Sequence, residues 1–238
     1  MASHGRLLNL GLTTYQDAYD VQLQLHEARA ADRIEDVLVL TEHLPIYTLG
    51  RTTRPEHVGA GWEAKSINGI PLCMSDRGGS VTYHGPGQIV GYPILALRHY
   101  CAGPKAYIRL LEEALIRSLA ILGIRGARRP RTPGVWVKDQ KIGAVGVRIS
   151  RGVTRHGFAL NVVNTLEPFS AVIPCGLVGC AVTSVAMESD RQVTLTGGRE
   201  AVVRGFQEVF DLSLDEAFSM TDMGVNDTAT ALQSCNPS

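Results

Sequence analysis

The sequence predicts an α/β domain. Three observations carry this. Short apolar runs of strand length, such as Val37-Leu38-Val39-Leu40 and the stretch from about Gln88 to Leu95, recur along the chain. Residues 105–122 have helical periodicity, with Ile108, Leu111, Leu115, Leu119 and Leu122 on one face and Gly123 at the C-terminal stop. No internal repeat or long linker divides the 238 residues, so they read as one large domain with a short tail.

Taken in order, residues 6–12 form a first strand. Thr13 or Thr14 caps a helix reaching about Ala31, with Ala18, Val21, Leu25 and Ala28 on its apolar face. Val37–Leu40 is a strand buried on both faces, and Ile46–Arg51 is a second β segment after Pro45. Residues 52–68 have no clear period and hold Pro55, Gly59 and Gly61, which predicts a surface loop. Residues 126–133 are basic and broken by proline, a second loop.

Residues 135–150 read as a hairpin turning near Asp139, and His156–Val162 as a further strand. Residues 164–182 look irregular. Val202, Val203, Phe206, Val209 and Phe210 mark a late helix, and Ser213-Leu214-Asp215-Glu216 is a capping box for a short final one. From about Thr221 the residues are small and polar, which predicts a disordered tail over 221–238.

Composition narrows the function classes. The chain is 45% hydrophobic and 19% charged, as expected of a soluble globular protein. Lysine plus arginine and aspartate plus glutamate number 23 each, which gives no support for broad nucleic-acid or membrane-surface binding. No apolar run is long enough to span a bilayer, and the N-terminus lacks a signal-peptide core. The five cysteines (73, 101, 175, 180 and 235) are odd in number and irregularly spaced, so they read as reduced thiols in a cytoplasmic protein.

The densest motif is residues 77–88, with four glycines, a proline, an arginine, a tyrosine and a histidine in twelve positions. Glycine permits close backbone approach, so the segment reads as a strand whose ends are open to a ligand. Its spacing fits neither a dinucleotide fingerprint nor a phosphate loop. Cys175, between Pro174 and Gly176, is a thiol on a tight turn; a structural thiol would fit a periodic element better. Cys175 and Cys180 have a poor zinc spacing, so no metal is expected. Lys141 follows the hairpin turn. It is a solvated surface charge, or, if aimed inward beside a cysteine, a group that favours the thiolate. His84 and His156 beside glycines read first as structural.

Five segments in order resemble the lipoyl(octanoyl) transferases of lipoate biosynthesis. They are Thr41–Arg51, Asp76–Gln88, Pro133–Trp136 with Lys141–Arg148, His156–Asn161 and Ile173–Gly176. Leu44 and Gly143 are minor departures from the family pattern. The resemblance implies an α/β (α+β) biotin/lipoate protein ligase-like fold, a mixed sheet with surrounding helices in a single catalytic domain over 1–220. It implies Cys175 as nucleophile and Lys141 as the group that lowers its pKa and serves as acid and base. It also implies an acyl site lined by Arg77, Gly78, Gly79, Ser80, Val81, Thr82, Tyr83 and His84, by Ala144, Val145 and Gly146, and by Gly157, Phe158 and Ala159.

The implied reaction moves octanoyl from octanoyl-acyl carrier protein to a lysine of lipoyl domains, in 2-oxoacid dehydrogenase E2 subunits and the glycine cleavage H protein. It requires no cofactor, neither ATP nor metal, and involves no nucleic acid and no membrane. The competing readings are an ATP-dependent lipoate–protein ligase of the same fold, octanoyl transfer restricted to one carrier protein, and a binding module without catalysis.

Overall fold

The computed structural model describes residues 3–130, 132–176, 179–217 and 219–225; the side chain of Cys175 lies outside the described set. In chain order the elements are β1 (Ser3–Thr13), α1 (Tyr15–Ala30), β2 (Asp36–His43), β3 (Ile46–Leu49), α2 (Gly61–Ala64), β4 (Ser66–Ile67), β5 (Ile70–Met74), β6 (Val81–His84) and β7 (Gln88–Ile94). They continue with α3 (Pro104–Ile121), β8 (Ala127–Arg129), β9 (Thr132–Val137), β10 (Gln140–Ser150), β11 (Val153–Asn161), α4 (Val185–Glu188), α5 (Leu195–Phe210) and β12 (Leu212–Ala217).

The strands form an eight-stranded mixed sheet, ordered β12-β1-β2-β7-β11-β10-β9-β8, and a four-stranded sheet, ordered β4-β5-β3-β6. β1 runs parallel to β12 and β2, and the pairings from β2 through β7, β11, β10 and β9 to β8 are antiparallel. Alternation along β2 builds the layers. Leu38 and Leu40 join Leu111, Leu115 and Leu119 of α3 and Phe206 and Phe210 of α5 on one face. Val37 and Val39 join Ala18, Leu25 and Ala28 of α1 on the other. Each such leucine or phenylalanine, fully buried, contributes about 1.5–3 kcal/mol. The Thr14 side chain caps α1 by accepting from the Asp17 N–H, as the helix-start pattern predicts. A third cluster, with Tyr47, Val58, Val81 and Tyr83, fills the small sheet.

Several expectations change. The segment 52–68 holds a 3-10 turn at Pro55–His57, then α2 and β4, and its Val58 is 4% exposed. Part of the basic stretch 126–133 pairs as the edge strand β8. The Ser213–Glu216 capping box does not start a helix. Asp211, at φ 46°, ends α5 and reverses the chain, and the residues that follow add to the sheet edge as β12 beside β1. Edge pairing there outweighs a local cap, because it satisfies backbone groups along the whole segment. Residues 221–223 form a 3-10 turn with Met223 and Val225 buried against the α1 face, so chain structure extends past the expected start of the tail; residues 226–238 lie outside the described set. Cys73 and Cys101 are free thiols.

Candidate active site

Strands β6, β7, β10 and β11 line, with α1, a narrow cavity of about 50 Å³. Its sides follow from strand alternation. In β6, Thr82 and His84 face the cavity, while Val81 and Tyr83 point the other way into the small-sheet core. Ala144 and Gly146 of β10 stand opposite Ala159 and Gly157 of β11 in register, and Val90 pairs with Ala159 from β7. Small side chains on the facing strands therefore leave a narrow slot.

Beside His84 the wall of this slot is polar yet uncharged. Burial lowers the His84 pKa to about 3 and that of His43 to about 4, so both rings are neutral. The Tyr92 hydroxyl donates to His43 Nε2 at 2.6 Å. Burial raises the Tyr15 phenol to about 12, and its oxygen lies 2.8 Å from Ser75 Oγ. His156 Nε2 donates to Asp76 at 2.6 Å, and Arg155 donates to the other carboxylate oxygen at 2.7 Å. The His156 bond, ahead of the charges of His156 and Arg155, holds Asp76 well below the usual carboxylate range. His156 sits at φ 54° inside β11, a left-handed conformation costly for a histidine, and Gln22 Oε1 accepts its N–H at 2.9 Å.

A second cavity, of about 20 Å³, adjoins the slot and shares Thr82, Ala144 and Ala159 with it. Lys141 and Pro174 both line this second space. Lys141 is 5% exposed. Its N–H donates to Ala181 O at 2.8 Å, and Thr183 N–H donates to Lys141 O at 2.9 Å, so residues 181–183 run beside it. The ammonium lies 5.7 Å from the centre of the Trp136 ring. The Pro174–Gly176 turn packs on β6, and its Pro174 lines the second cavity together with Lys141. The Cys175 side chain is outside the described residues.

A buried hydrogen-bond chain joins the two ends. Arg77 donates to Thr48 O at 2.6 Å and to Thr48 Oγ1 at 2.9 Å. The Thr48 hydroxyl lies 3.3 Å from His84 Nε2, and His84 Nδ1 donates to Gln88 Oε1 at 2.7 Å. Gln88 Nε2 donates to Asn161 Oδ1 at 2.9 Å, and Asn161 Nδ2 donates to Thr183 O at 3.0 Å. Inside the protein such a satisfied chain sets side-chain positions on both sheets together.

Of the residues expected at the acyl site, Arg77, Gly79, Ser80, Thr82, His84, Ala144, Gly146, Gly157 and Ala159 border the slot. Val145 and Phe158 border it too, but their side chains pack into the core beside α3 and α5. Gly78 is instead tied to β10, its N–H donating to Val147 O at 3.0 Å. Sequence reasoning did not single out Tyr15, Tyr92, Gln88 or Asn161 for the site. Tyr15 and Tyr92 have no motif of their own, whereas Gln88 and Asn161 end two of the family-like segments, a signal that could have found them.

The family model for the lipoyl protein ligase A/B catalytic domain matches residues 14–207. An octanoyltransferase of Rubrobacter xylanophilus is 45% identical to this chain over 84% of it and 90% of its own length. One from Alkaliphilus metalliredigens is 44% identical over 90% of this chain and 98% of its own. The chain belongs to the octanoyltransferases of this family. It is an acyltransferase. Its fold is shared with solved lipoate–protein ligases. Lipoate-protein ligase A bound with ATP superposes at a TM-score of 0.71, with 22% identity over 93% of this chain and 91% of that one. A bipartite ligase from Thermoplasma acidophilum superposes at 0.70, with 21% identity over 93% and 89%. At that identity the likeness concerns the fold. Among the described residues, no helix of this family member is long and apolar enough to cross a membrane.

Proposed function

We propose that this acyltransferase moves an octanoyl group from octanoyl-acyl carrier protein, through a thioester on Cys175, to the lysine of a lipoyl domain. The observation that carries the reading is the shared space of Lys141 and Pro174 at one end of an apolar slot. From the level of Asn161 to that of Gly157, four residues of strand span roughly 13 Å. That length takes an extended eight-carbon chain with its thioester beside Lys141.

Lys141 takes the Cys175 thiol proton, giving a thiolate and an ammonium. The thiolate attacks the thioester carbonyl carbon, the bond from that carbon to the carrier's pantetheine sulfur breaks, and the Lys141 ammonium protonates the leaving thiolate. The acceptor lysine amine then attacks the Cys175 thioester. Lys141 takes the amine's proton, and the Cys175 thiolate departs. The donor thioester is already activated, so transfer to an amine runs downhill without ATP or metal. Backbone N–H groups of the glycine-rich segment would stabilise the oxyanion. The acceptors of this reading are lipoyl domains of 2-oxoacid dehydrogenase E2 subunits and the glycine cleavage H protein.

The test is intact-mass measurement after mixing with octanoyl-acyl carrier protein. We expect one octanoyl adduct mapping to Cys175, absent in Cys175→Ala and discharged by added lipoyl domain. An adduct that persists on another residue in Cys175→Ala, or full activity of that variant with free acid and ATP, would overturn the reading.

A further inference from the structure

We propose that His57 is a positioning residue for acyl transfer, a brace that holds the Pro174–Gly176 turn against the glycine-rich wall of the slot. The proposal rests on the reading of Cys175 as nucleophile.

One residue reaches the turn at two points. The carbonyl of His57 accepts the Ile173 N–H at 2.9 Å, just before the turn. The imidazole covers the turn's last residue: a Cβ built on Gly176 would stand 3.2 Å from His57 Cε1 and 3.4 Å from Nε2. Gly176 has φ +69°, so glycine serves there both the conformation and the close approach of the ring. Its own N–H closes the turn on Ile173 O at 3.0 Å.

The ring is anchored on its other side. Nδ1 accepts the Arg54 backbone N–H at 3.2 Å and lies 2.7 Å from Ser80 Oγ. A backbone N–H can only donate, so Nδ1 is the acceptor and the ring proton sits on Nε2, on the side that faces the turn. Ser80 is 4% exposed and borders the acyl slot. The next residue, Val58, is buried in the cluster that holds Val81 and Tyr83 of β6, so the segment carrying His57 is itself pinned. His57 borders neither the slot nor the Lys141 cavity. It acts on the chemistry through the turn, by fixing where residue 175 stands relative to a chain lying along Ser80 and Thr82. Misplacing a reacting atom by about 1 Å costs on the order of 100-fold in rate.

The experiment compares wild type with His57→Ala, His57→Asn and His57→Gln, each first checked by thermal melting. Two quantities are read: amide hydrogen exchange of peptides covering residues 170–180, and single-turnover acylation of Cys175 by octanoyl-acyl carrier protein. We expect His57→Ala to speed exchange at Ile173 and Gly176 about tenfold or more. Acylation should slow by about 10- to 100-fold, with kcat falling and KM little changed, while alkylation of Cys175 by iodoacetamide, which needs no orientation in the slot, stays within about twofold. His57→Asn, whose side-chain oxygen can take the place of Nδ1 toward Arg54 and Ser80, should recover most of the loss, and His57→Gln less. Unchanged exchange in His57→Ala, or recovery by His57→Gln and not by His57→Asn, would overturn the brace. If wild type forms no Cys175 adduct at all, the transfer reading fails, and the exchange measurement still decides the brace.

Discussion

Gly134 lies directly against the stem of Lys141: a Cβ on residue 134 would stand 2.6 Å from Lys141 Cε and 2.5 Å from Gly143 O. The Gly134 backbone, at φ +122°, also donates its N–H to the buried carboxylate of Glu112 at 2.8 Å. A glycine on β9 thus makes room for the lysine on β10. Gly134→Ala should destabilise the fold by about 1–3 kcal/mol, because backbone oxygen and stem must both move. Transfer should fall at least about tenfold as the ammonium shifts. Urea denaturation and initial rates check the two effects, and wild-type values for both would refute the packing argument.

Removal of the lysine itself tests its electrostatic role. Lys141→Ala takes away a buried cation at the end of the slot where Pro174 stands. A nearby positive charge favours thiolate, so the pH profile of Cys175 alkylation should move to higher pH in the variant. Acyl-enzyme formation should slow by roughly 100- to 10,000-fold, the range of a lost acid–base group. An alkylation profile that does not move would mean that Lys141 does not set the thiol's ionisation.

His84 is predicted to govern acid stability and to leave the thiol alone. Its folded pKa is depressed to about 3 by burial, and that of His43 to about 4, each from 6.5. Below pH 6.5 the unfolded chain therefore binds protons that the folded chain refuses, so stability is greatest above 6.5 and falls as pH drops toward 3. Melting temperature should decline across that window, and His84→Gln should flatten the slope. The same variant interrupts the chain from Thr48 to Gln88, so KM should rise with the Cys175 alkylation rate unchanged. Normal KM and turnover would make His84 purely structural.

The slot makes a prediction about chain length. Ala159 is 6% exposed and borders both cavities, so a larger side chain there fills the passage between them. Ala159→Leu should cut octanoyl transfer at least about tenfold while retaining more activity with butanoyl thioester. Rates over a series of acyl-carrier thioesters from four to ten carbons measure this, and a uniform loss at all lengths would place the acyl chain elsewhere.

Much of the fold was legible because local signals agreed with it. The 3,4,4,3 spacing of Ile108 to Leu122 became α3, Thr14 capped α1, and the turn near Asp139 joined β9 to β10. The glycine-rich segment borders the slot, though alternation turned Val81 and Tyr83 away from it into the core. Residues 52–68 looked like a featureless loop, and His57 was invisible there, because its partners Ser80 and Gly176 lie far along the chain. The Ser213–Glu216 box was misread because a local cap pattern carries no information about the free edge of β1 waiting to be paired.

By itself the sequence determined most of the elements and their order, and its resemblance to a family implied a pairing of Cys175 with Lys141, 34 positions apart. The elements follow from periodicity and residue chemistry, both local. The tertiary structure decided that Lys141 runs beside residues 181–183, that Pro174 shares its cavity, and that Gln88 meets Asn161 across β7 and β11. Such proximities depend on sheet order and register, which arise only when distant strands pair and bury their faces together.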